Sequence, residues 1–187
     1  MEFMVINQPK LFTEAMNLYW DRGIKFTMDE LASRLCISKK TLYEMVRSKE
    51  DLIVQVIEFY FNGVADLQAA IHSDSNLNAV EKLKKLLCAT PDFVIRKVHL
   101  HELKMNYPDA FKVLDDKLRL GWDKTLSVLD QAKAEGAVKE IDNHLFSKIY
   151  ASVIEEIILG NDIDTNLTFR QQQEQIVDML LFGICKS

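Results

Sequence analysis

Residues 27–49 read TMDELASRLCISKKTLYEMVRSK, and this stretch decides the fold. Its apolar positions, Met28, Leu31, Ala32, Leu35, Ile37, Leu42 and Val46, recur at helical spacing on both sides of a short break, Leu35-Cys36-Ile37-Ser38. Thr27 followed by Glu30 reads as a capping box. The hydroxyl takes a backbone N–H of the first turn, and the carboxylate reaches back to the cap residue. Ser38 stands where a second cap belongs. Two short helices whose apolar faces meet across a tight turn make a helix-turn-helix unit.

The pattern extends outward from there. Upstream, Leu11, Ala15, Leu18 and Tyr19 share a helical face, with Phe12 and Met16 beside it, and Gly23 follows as a left-handed stop. Downstream, Ser48-Lys49-Glu50-Asp51 opens a fourth helix that Leu52, Val56, Phe59, Tyr60 and Val64 carry from about 48 to 72. Thr90-Pro91 and Asn106-Tyr107-Pro108 mark further boundaries. Phe111, Leu114, Leu118, Trp122, Thr125, Leu129 and Ala132 keep one helical period up to Gly136. Asp142 or Asn143 caps a helix running to about Gly160, and Thr168 with Gln171 opens the last one.

The expected fold is therefore all-α, with about nine helices and no strand. An N-terminal three-helix helix-turn-helix domain, 1–50, is joined by the fourth helix to a C-terminal helical domain, 51–187. A chain of 187 residues with 6 Gly and 3 Pro agrees, because it lacks the turn residues an all-β fold needs.

The net charge of −5 argues at first against a nucleic-acid partner. Its distribution argues the other way. Arg34, Lys39, Lys40, Arg47 and Lys49 against Glu44 give +4 over residues 34–49, leaving −9 for the rest. Ser38-Lys39-Lys40-Thr41 gathers two ammonium groups, two hydroxyls and the free N–H groups of a helix start, a combination suited to phosphate. Tyr43 adds a phenol. A solvated basic face on an ordinary helical hairpin is the alternative that composition leaves open.

The stretch from Leu11 to Tyr60, whose residues 11–53 read LFTEAMNLYWDRGIKFTMDELASRLCISKKTLYEMVRSKEDLI, resembles the DNA-binding domain of the TetR/AcrR family of bacterial transcriptional regulators. The resemblance rests on Tyr19-Trp20-Asp21-Arg22-Gly23, the Thr27 cap, Ile37-Ser38-Lys39-x-Thr41-Leu42-Tyr43, and Ser48-Lys49-Glu50-x-Leu52, all in one frame. It implies phosphate contacts from Thr27, Tyr43 and Lys49. It also implies a recognition helix in the major groove with Ser38, Lys39, Lys40 and Thr41 near backbone or bases and Glu44 and Met45 facing DNA. Lys40 stands where glycine is frequent, Glu44-Met45 where polar or aromatic residues are usual, and Val46 where phenylalanine is customary. Lys10 is the only base in the first ten residues, so a basic minor-groove arm is not expected.

The resemblance further implies a C-terminal domain that dimerises and holds a small-molecule effector, and a homodimeric repressor of a pseudo-palindromic DNA operator. The residues are compatible. Leu145, Phe146, Ile149, Tyr150, Val153, Ile154, Ile157 and Ile158 cover more of the helical circumference than one buried stripe needs. Two contacts are expected, one with the chain's own core and one with a second copy, through helices at about 143–160 and 168–184. Glu156 falls inside that apolar arc, and Glu102 falls between Val98 and Ile95, with His101 beside Val94 and Met105. With Phe93, Met105, Trp122 and Tyr150 they form a candidate effector pocket. An intramolecular hydrogen bond or a solvated edge for the carboxylates, and core packing for the apolar residues, are the plainer readings.

No catalytic motif, cofactor site or metal site is expected. A Gly-rich phosphate loop, a nucleophile elbow and H-E-x-x-H are absent from the sequence, and His99-x-His101 points two ways on a helix. Cys36, Cys88 and Cys185 form no C-x-x-C pair. Free thiols and the lack of a signal-like start or an apolar run of ~18 residues lead to the expectation of a cytoplasmic chain without a membrane span. A helical carrier or enzyme with a vestigial helix-turn-helix is the rival reading.

Overall fold

The starts of α-helices at Asn7, Thr27, Ser38 and Asn78 are each set by a side chain that accepts a backbone N–H of the first turn. The computed structural model describes residues 7–89, 97–158 and 166–184. Thr90-Pro91, Phe93, Val94, Ile95, Gly160 and Cys185, and the side chains of Trp20, Val98, His99, Ile158 and Ile184, lie outside the described residues. Among those described there are ten α-helices: α1 (Gln8–Arg22), α2 (Met28–Arg34), α3 (Lys39–Met45), α4 (Lys49–Ser73), α5 (Ala79–Leu87), α6 (Lys97–Asn106), α7 (Pro108–Leu120), α8 (Asp123–Ala134), α9 (Asn143–Ile158) and α10 (Phe169–Ile184). A 3₁₀ turn, Gly23–Lys25, follows α1.

The run from Phe111 to Ala132, expected as one helix, is two. Its apolar period passes through Gly121, where a helix is weakest, and the chain turns at Gly121–Trp122 before α8. Asp142 settles the start of α9, because its Oδ1 accepts from the Leu145 N–H at 2.7 Å.

The chain divides into two compact units. The first comprises Met1–Phe61 and Val98–Asp116, so α6 and most of α7 group with the helix-turn-helix segment. Leu11, Leu18, Phe26, Leu31, Leu35, Leu42 and Leu52 are buried there, as are Leu103, Ala110 and Leu114. Gly23 ends α1 at φ 60°, ψ −150°, a conformation only glycine takes cheaply, and its N–H donates to the Tyr19 carbonyl. Seven-residue α3 is too short to be helical alone. It is held by the Ser38 cap and by burial of Leu42 and Val46, at about 1.5–3 kcal/mol for each such side chain.

The second unit, Asn62–Lys97 and Lys117–Ser187, packs α5, α8, α9 and α10 around Leu83, Leu86, Val128, Leu129, Phe146, Ile154 and Val177. Asn78 and Glu81 cap α5 reciprocally, and Thr168 and Gln171 do the same for α10. The apolar band of α9 divides as its width suggested. Phe146, Tyr150, Ile154 and Ile157 face the core, while Leu145, Ile149 and Val153 are exposed. On α10, Val177 and Leu181 are buried, while Met179 and Phe182 are 74% and 84% exposed. None of the described helices is long and apolar enough to cross a membrane.

Candidate nucleic-acid interface

The turn between α2 and α3 presents α3 to solvent along one side. Leu42 and Val46 point inward, so Lys40, Tyr43 and Glu44, spaced three and four residues apart, share the opposite, exposed face. Tyr43 is 43% exposed. Met45 is half-buried at the edge of this row, and Thr41 is exposed beside it.

The start of α3 is a closed arrangement. Ser38 Oγ accepts from the Thr41 N–H at 3.0 Å and lies 2.8 Å from Thr41 Oγ1. Thr27 is similarly committed. Its Oγ1 accepts from the Glu30 N–H at 3.2 Å and donates to Glu30 Oε2 at 3.0 Å, and its own N–H donates to that oxygen at 2.7 Å. These bonds, the backbone one first, hold the Glu30 carboxyl below its ordinary range.

The basic side chains fare differently from one another. Lys39 pairs with Asp29 of α2 at 2.9 Å, and hydrogen bonding to that carboxylate raises its pKa. Arg34 pairs with Asp21, and Arg22 with Glu30 at 3.1 Å. Exposed pairs of this kind contribute little to stability, so a phosphate can replace the carboxylate. Lys40 and Arg47 have no ion pair among the described residues. Arg47 is fixed through its backbone, whose N–H donates to Asp51 Oδ2 at 2.8 Å.

Lys49 is turned inward. Its Nζ donates to the carbonyls of Ile24 and Phe26 and lies 4.2 Å from the centre of the Phe26 ring and 5.6 Å from that of Tyr107. Burial lowers its pKa. Tyr107 and the pairing of Asp29 with Lys39 are features of this site that sequence reasoning missed. Each acts across a helix boundary, and no local spacing announces it.

The candidate pocket residues divide between the two units. His101 and Met105 are exposed and Glu102 half-buried on α6 in the first unit. Phe93 lies outside the described residues. In the second unit Trp122 and Tyr150 meet edge to face at 5.6 Å. The Tyr150 phenol is buried, donates to the Leu87 carbonyl and accepts from Gln173 Nε2 at 3.0 Å. Burial pushes that phenol up. Glu156 is exposed rather than buried, because the arc it falls in is the outer one, with Leu145 and Ile149.

Residues 11–56 match the family model described as bacterial regulatory proteins, tetR family. The chain is 29% identical over 178 residues to YvaF of Bacillus subtilis (strain 168), an uncharacterized HTH-type transcriptional regulator, covering 94% of each. The ketosteroid transcriptional regulator KstR2 of Mycobacterium tuberculosis has the same fold, with a TM-score of 0.69 at 20% identity over 96% of this chain and 95% of that one. AibR, in complex with isovaleryl coenzyme A and operator DNA, gives a TM-score of 0.67 at 20% identity over 92% and 97%.

Proposed function

We propose, from the match of residues 11–56 to the tetR family model and the likeness to YvaF, that the chain is a TetR-family regulator and acts as a homodimeric, effector-released repressor of transcription in the cytoplasm. The observation that supports this reading most is the exposed row Lys40, Tyr43 and Glu44 on α3, backed by buried Leu42 and Val46. A row of that kind suits the major groove, where Lys40 and Tyr43 meet phosphates and Glu44 accepts from a cytosine amino group. Ser38, Lys39, Thr41 and Met45 flank it, and Thr27 holds the start of α2 beside it. Two copies of α3 about one helical turn of DNA apart read a pseudo-palindromic operator.

The exposed stripe on α9 and α10 supports pairing with a second copy as a four-helix interface. The second unit is where an effector belongs. AibR is described with isovaleryl coenzyme A, so an acyl-coenzyme A thioester is the first class to test. Such a ligand releases DNA only if it binds the DNA-incompetent form more tightly. The chain acts by binding and not by catalysis.

The test is fluorescence anisotropy on duplexes selected by this protein from a random pool. Affinity is expected to fall steeply with salt. Lys40→Ala is expected to weaken all duplexes alike, and Glu44→Ala to change the preferred base at one position. A salt-independent affinity, or a Glu44→Ala protein that merely scales every affinity, counts against this mode of binding.

A further inference from the structure

We propose that Lys49 and Tyr107 are positioning residues that set the start of α2, and that Lys49 is not a phosphate ligand. The claim rests on the DNA-binding reading above and concerns how that site is held.

The peptide unit joining Phe26 to Thr27 is gripped at both ends. Its carbonyl accepts from Lys49 Nζ, and its N–H donates to Glu30 Oε2 at 2.7 Å. Lys49 also holds the Ile24 carbonyl, so the end of the 3₁₀ turn and the Thr27 cap depend on one ammonium group. Two of its three hydrogens are committed to carbonyls. The Phe26 and Tyr107 rings cover it at 4.2 and 5.6 Å. An ammonium held in this way has little left to offer a phosphate, and it acts on DNA through the segment it fixes.

Tyr107 lies at the corner between α6 and α7, where its N–H donates to the Leu103 carbonyl at 2.8 Å. Two residues on, the Asp109 N–H, a free donor of the first turn of α7, donates to Glu50 Oε1 at 3.1 Å. Lys49 and Glu50, the first two residues of α4, therefore engage the same corner. A shift of that corner removes a ring from Lys49 and loosens its hold on the two carbonyls. The cap at Thr27, next in the chain, follows. This route from α7 to the DNA-facing surface runs through side chains and needs no tilt of α4.

The experiment uses the full chain and the variants Tyr107→Leu, Tyr107→Phe and Lys49→Met. Without DNA, Tyr107→Leu is expected to move the backbone amide resonances of Thr27 and Glu30, and Tyr107→Phe, which keeps a ring over the ammonium, to restore them. With a duplex selected from a random pool, Tyr107→Leu and Lys49→Met are each expected to weaken binding about three- to tenfold. The slope of log affinity against log salt should stay at its unaltered value in both. A slope shallower by about 0.9 in Lys49→Met makes that residue a phosphate ligand and overturns the proposal. Unmoved amides in Tyr107→Leu overturn it as well. If selection yields no duplex at all, the DNA-binding reading fails, and the amide resonances alone decide whether Tyr107 sets the α2 start.

Discussion

Cys36 sits at φ 54° in the turn of the helix-turn-helix, the only non-glycine residue with a positive φ among those described. Holding a residue with a Cβ there costs about 1–3 kcal/mol. The conformation has a use. It lets the Ile37 N–H reach back to the Ala32 carbonyl at 3.0 Å, which closes α2 and aims the chain into α3. Cys36→Gly should relieve the strain, less about 0.4–1 kcal/mol for the added freedom of the unfolded chain. A net change between zero and a gain of about 2.5 kcal/mol is expected in urea unfolding. Cys36→Val, β-branched and poorly suited to positive φ, should lose about 1–2 kcal/mol. If glycine proves as harmful as valine, the strain at this position is not what the dihedral implies.

At the scale of elements, α9 and α10 carry the next expectation. Ile149→Lys combined with Phe182→Lys places charge on the exposed stripe without touching the buried face. Sedimentation should then give a monomer at a concentration where the unaltered chain is a dimer, with the helical circular dichroism unchanged. A double variant that stays dimeric puts the interface elsewhere. Tyr150→Phe tests the buried face. Its phenol donates to the Leu87 carbonyl, and Gln173 remains as a second donor to that oxygen at 3.1 Å, so a loss of about 1 kcal/mol is expected.

Helix starts were legible in the sequence where one residue caps another three positions on, as at Thr27, Ser38 and Thr168. The break at Gly121–Trp122 was not, because the apolar period runs through it undisturbed. The same limit governs the interface. Lys40, Tyr43 and Glu44 could be placed on one face by spacing, but the pairing of Lys39 with Asp29 depends on how α2 crosses α3. The inward turn of Lys49 depends on carbonyls more than twenty residues earlier, and spacing along the chain says nothing about either.

Across the whole molecule, each unit holds a tyrosine that resists ionisation. Burial, and then the Glu102 carboxylate, raises Tyr19 above its ordinary 10.0, and burial raises Tyr150 above the same value. Below about pH 10 both phenols are neutral in folded and unfolded chains, and their contribution to stability is fully present. Above it the unfolded chain releases protons that the folded chain keeps, so stability falls as pH rises. The urea midpoint should begin to drop near pH 10 and keep dropping above it, and Tyr19→Phe with Tyr150→Phe should flatten that drop. An equal drop in the double variant assigns it to other groups. The Leu87 carbonyl bears on the molecule in another way. Donors from α9 and α10 converge on this single oxygen at the end of α5. Sliding either helix by one turn, about 5.4 Å, would bury a donor with nothing to accept it. The two helices are thus indexed like keys cut to one depth, and their outward row of Leu145, Ile149, Val153, Met179 and Phe182 is held in a single phase.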